Sequence, residues 1–178
     1  IESGGEGLAV LSESFSSPTL AKLKTDYMKI FPKARWATYE PVSDENIYEG
    51  IKAATGKYYH QTYAFDKAKI ILSLDSDFIF SESNSIVNAR GFADSRRVKS
   101  ENDSMNRLYV VESIFSLTGS MADHRLRMQS GQIGAFTAAL ALELISQGLD
   151  LHLADSLKSY QKHDFDTKWI SAVAKELI

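Results

Sequence analysis

The sequence predicts an α/β fold, a three-layer α/β/α sandwich around a mainly parallel, Rossmann-like sheet. Three observations carry that expectation. Short apolar runs recur at Leu8–Leu11, Arg35–Tyr39, Lys69–Leu74 and Leu108–Val111, and near-continuous apolar character marks strands buried on both faces. Between them lie segments with helical spacing, as right-handed crossovers require. The 178 residues are 44% apolar and 24% charged, close to an average globular domain.

Each element has its own grammar. Ser17-Pro18 reads as a cap followed by a first-turn proline, and Leu20, Leu23, Tyr27, Ile30 and Phe31 then mark one buried face until Pro32. A second helix opens at Ser43-Asp44-Glu45, presents Ile47, Ile51 and Ala54, and stops at Gly56. Residues 57–65 are polar and aromatic without a period and read as an irregular connection. A helix is expected over Asn84–Arg97, an exposed loop over Val98–Asn106, and a surface loop over Gly119–Gln129. Ile133, Phe136, Leu140 and Leu144 define the longest helix, closed by Gly148. A last helix begins near Asp166 and buries Trp169, Ile170, Val173 and Leu177.

Residues 1–7 read as a linker, because Gly4-Gly5-Glu6-Gly7 precedes the first apolar run, and 8–178 as a single α/β domain. The chain opens on Ile1 rather than Met, so a piece excised from a larger parent is expected. The absence of cysteine excludes disulfides, thiolate metal sites and cysteine nucleophiles within it. Twenty basic against 23 acidic residues give a net charge of −3, which provides no positive field for a nucleic acid. The longest apolar run, around Phe136–Ile145, falls short of the roughly 20 residues that span a bilayer, so no direct membrane insertion is expected.

Ligands of open parallel sheets bind beyond the carboxyl ends of the strands. Here those ends carry Glu13-Ser14, Glu40, Asp75-Ser76-Asp77 and Glu112-Ser113. No P-loop, GxGxxG turn, HExxH or GxSxG elbow occurs. The histidines at 60, 124, 152 and 163 lack metal-ligand spacing. Asp75 and Asp77 suit either a divalent ion or a polar turn in which aspartate bonds its own backbone. The serines at 14, 16 and 17 suit either a phosphate at a helix start or simple capping. Arg90, Arg96 and Arg97 are expected on a solvated helix face.

The segment Leu108-Tyr-Val-Val-Glu-Ser-Ile-Phe-Ser-Leu-Thr-Gly-Ser-Met-Ala-Asp-His-Arg-Leu-Arg-Met128 resembles a region of the molybdopterin oxidoreductase (DMSO reductase-like) superfamily. Ser17-Pro18-Thr19-Leu20, Thr38-Tyr39-Glu40-Pro41-Val42 and Phe65 through Phe78 look most like one branch, the Tat-variant-translocated molybdopterin oxidoreductase-like subunit of alternative complex III. The resemblance runs from about Leu8 to Ile145. It implies a large parent on the periplasmic side of the bacterial inner membrane, iron–sulfur clusters elsewhere in that parent, and haem c and integral-membrane quinone-binding subunits as partners.

Three turns depart from the pattern of catalytic members. Their Gly-x-Asn-Pro is here Asp75-Ser76-Asp77-Phe78, their Asp-Pro-Arg-x-Thr is Glu112-Ser113-Ile114-Phe115-Ser116, and their Pro-Gly-Thr-Asp is Ser130-Gly131-Gln132-Ile133. The expectation is therefore a scaffold and interaction domain, with no cofactor, catalytic residue or metal ligand in this segment. The alternative is an authentic molybdopterin guanine dinucleotide-binding domain, in which Ser14, Asp75, Ser76, Asp77, Glu112, Gly131 and Gln132 hold the dinucleotide. A third reading, unrelated to the resemblance, is a small-molecule module using Asp75 and Asp77 with a divalent ion.

Overall fold

The computed structural model describes residues 3–150, 154–159 and 164–178. The chain is α/β with short parallel sheets, and it divides into two compact units, Ile1–Gln61 and Thr62–Ile178. The histidines at 152 and 163 and the first two residues lie outside the described residues.

In the N-terminal unit, β1 (Ala9–Ser12) pairs in parallel with β2 (Arg35–Thr38), from Ala9 opposite Arg35 to Ser12 opposite Thr38. The crossover is α1 (Pro18–Ile30), and α2 (Glu45–Thr55) follows. The Leu20 amide donates to Ser17 Oγ at 3.4 Å, and Gly56 closes α2 at φ 78°, a left-handed position that glycine takes without a steric cost. Both ends are as the sequence predicts. The helix faces are not. No residue of α1 is buried, with Leu20, Leu23 and Ile30 at 46, 58 and 59% exposure, and in α2 only Ile51 of the predicted face is buried. Two strands of four residues present too little surface to cover a helix stripe. Tyr27 instead packs locally, its ring 5.0 Å from Phe31 and edge-on to Trp36 at 5.7 Å. The glycine-rich start folds back onto the end of α1, where the Lys33 amide donates to Gly4 O at 2.9 Å. A Cβ on Gly5 would lie 2.7 Å from Phe31 Cβ, so only glycine fits that approach.

The C-terminal unit contains β3 (Ile70–Leu74), α3 (Ser85–Asp94), β4 (Arg107–Glu112), α4 (Leu117–Ser120), β5 (His124–Arg127), α5 (Ser130–Ser146), α6 (Ala154–Lys158) and α7 (Thr167–Leu177). Its three strands run parallel in the order β3-β4-β5. The central strand explains the core. Along β4, Leu108 and Val110 enter one cluster with Phe65, Ile71, Phe78 and Phe92. Tyr109 and Val111 enter a second with Met128, Phe136, Leu140, Ile170, Val173 and Ala174. Alternate residues thus serve opposite faces, and a strand buried on both sides must be apolar almost throughout. Asp166 caps α7, accepting from the amides of Lys168 and Trp169 at 3.0 and 3.2 Å.

Three expectations about elements are corrected. Residues 119–129 are not a loop throughout but include β5, whose His-Arg-Leu-Arg sequence offers one apolar residue because the strand lies at the sheet's edge. The helix expected over Asn84–Arg97 ends at Asp94. Arg96 leaves the solvated face: its guanidinium grips the Asp123 carboxylate at 2.9 and 2.6 Å, which in turn accepts from the Leu108 amide at 2.8 Å. That bidentate pair ties the end of α3 to the sheet. Among the described residues no helix is long and apolar enough to cross a membrane.

Candidate functional site

The carboxyl ends of β3, β4 and β5 converge on the start of α5, which places Asp75, Ser76, Asp77, Glu112, Gly131 and Gln132 at one end of the C-terminal unit. Ser14 belongs to the N-terminal unit, where its amide and hydroxyl both donate to Glu40 Oε1 at 2.5 Å and hold the Glu40 carboxyl below its usual range.

Asp75 follows the last residue of β3 in a left-handed conformation, φ 54°, that aspartate tolerates better than most residues. Its Oδ1 accepts from the Ser113 amide at 3.0 Å and hydroxyl at 3.2 Å, and its Oδ2 from the Ser130 hydroxyl at 2.6 Å. The two serine hydroxyls are 2.9 Å apart. One carboxylate thus links the end of β3, the end of β4 and the first turn of α5. Partial burial pushes the Asp75 pKa up, but the hydrogen bonds from Ser130 and Ser113 together outweigh it, so it sits below the ordinary value.

The sign of the resulting acid dependence follows from linkage. A carboxyl depressed in the folded state stabilises the fold above its unfolded pKa of about 3.9 and loses that contribution as pH falls through the folded value. Asp75→Asn is therefore expected to lower the urea midpoint at neutral pH, with the gap to the parent chain closing as the pH falls through the acid range. A gap that stays constant down to acid denaturation would contradict this role.

Asp77 faces another way. Its Oδ1 accepts from the Thr118 amide at 3.0 Å and hydroxyl at 2.7 Å, and Thr118 Oγ1 accepts from the Ile79 amide at 3.2 Å. Asp75 and Asp77 therefore serve different elements, β4 with α5 and α4, rather than a common ion. Ser76 contributes its carbonyl, which accepts from Ser73 Oγ at 2.7 Å. Among the described residues no three His, Cys, Asp or Glu side chains form a metal-holding group.

Glu112 ends the central strand only 3% exposed. Its Oε1 accepts from Arg125 Nε and its Oε2 from Ser116 Oγ, both at 2.5 Å, while Ser116 Oγ accepts from the Gly119 amide at 2.9 Å. A Cβ on Gly119 would stand 1.9 Å from Glu112 Oε1, so glycine is required for this closure. Arg125 also donates to Ile114 O at 3.2 Å and lies 4.7 Å above the Phe115 ring. The buried charge is paired and hydrogen-bonded, as burial demands.

Gly131 has open space around it, and Gln132 lines a hollow of about 410 Å³ together with Ser113, Arg127, Met128 and Gln129. Sequence reading finds the acids and places Ser113 and Ser130 in the turns beside them, but misses that these serines bond Asp75 and that Thr118, Ser116 and Arg125 occupy Asp77 and Glu112. Arg125 and Arg127 alternate across Leu126, the period of an edge strand, and that is the signal the arginines carried. No protein-family model matches the chain, and comparison with curated proteins finds no match.

Proposed function

We propose that this chain is a cofactor-free scaffold and interaction domain, part of a molybdopterin oxidoreductase-like subunit of a respiratory quinol-oxidising complex on the periplasmic side of the bacterial inner membrane. In this reading a Rossmann-like three-layer sandwich persists as a framework. Electrons travel through iron–sulfur clusters and haems elsewhere, and the neighbours are the rest of the parent subunit with the haem c and quinone-binding membrane subunits.

The observation that carries the reading is the closure of the sheet's carboxyl end. Asp75, Asp77 and Glu112 accept from Ser113, Ser130, Thr118, Ser116 and Arg125 of the same chain. A dinucleotide lodged there would have to displace those donors, and its pyrophosphate would meet the Asp75 and Asp77 carboxylates at the end of β3, while Arg125 beside the end of β4 is already engaged by Glu112. Each buried polar group left without a partner costs about 1–3 kcal/mol. The occupied carboxylates at the Asp75–Phe78 and Glu112–Ser116 turns therefore support a reading without a molybdopterin guanine dinucleotide.

A second reading, dinucleotide binding by altered contacts, is favoured by one feature: the hollow beside Arg127 and Gln132 at the start of α5. Molybdenum and pterin analysis of the parent protein, purified with its associated subunits, separates the two. The scaffold reading expects molybdenum and pterin far below one per chain, and stoichiometric amounts would overturn it.

A further inference from the structure

We draw no further inference here: the strongest candidate, the exposed apolar patch of Ile114, Phe115, Leu117 and Met121 around α4, is a face for which nothing in the structure shows what covers it.

Discussion

Replacing Glu112 by alanine is expected to destabilise the C-terminal unit by about 3–5 kcal/mol, the cost of breaking a buried ion pair from one side. The carboxylate is 3% exposed and holds the Arg125 guanidinium and the Ser116 hydroxyl. Without it, Arg125 keeps only its bond to Ile114 O and its place above Phe115. Urea denaturation measures the loss. The companion variant Arg125→Ala and the double variant complete the test: residues in direct contact are non-additive, so the double change is expected to cost at least about 1 kcal/mol less than the sum of the singles. Strict additivity would mean that the pair does not organise this corner.

Phe136→Ala is expected to cost about 3–5 kcal/mol through the cavity it leaves. Phe136 is fully buried on α5, edge-on to Phe165 at 5.6 Å and Trp169 at 5.7 Å. It joins α5 to α7 and both to the side of the sheet bearing Tyr109 and Val111. A loss of that size is a large share of the 5–15 kcal/mol that stabilises a typical domain, so the urea midpoint and the near-ultraviolet signal of Trp169 should both fall sharply. A change below about 1 kcal/mol would mean that α5 is not packed as described.

What could be read from the sequence depended on whether a residue's partners were local. Ser17, Pro18, Gly56 and Asp166 act within a few residues of themselves, and the helix ends they define stand where the sequence predicts them. Strand β4 was legible because burial on both faces over Leu108–Val111 leaves a continuous apolar run. The edge strand β5 was not, since one of its sides needs no neighbour. The buried faces assigned to α1 and α2 failed for a related reason: apolar spacing shows that a face can be buried, and a two-stranded sheet does not supply enough surface to bury it.

The same distinction governs the site. Asp75, Asp77 and Glu112 were found as acids at strand ends. Their roles depend on Ser113, Ser130, Thr118 and Arg125, which lie between 13 and 55 residues away from the acid they serve. Such pairings carry no sequence period.

On the proposed reading, Asp75, Asp77 and Glu112 at the carboxyl end of the three-stranded sheet are held by donors of their own chain and bind no guanine nucleotide. A thermal-unfolding titration of the 178-residue chain with GDP checks this, since a ligand that binds only the folded state raises its apparent stability with concentration. The expected midpoint is unchanged at all GDP concentrations. A saturable rise that is lost in Arg127→Ala or Gln132→Ala would contradict it.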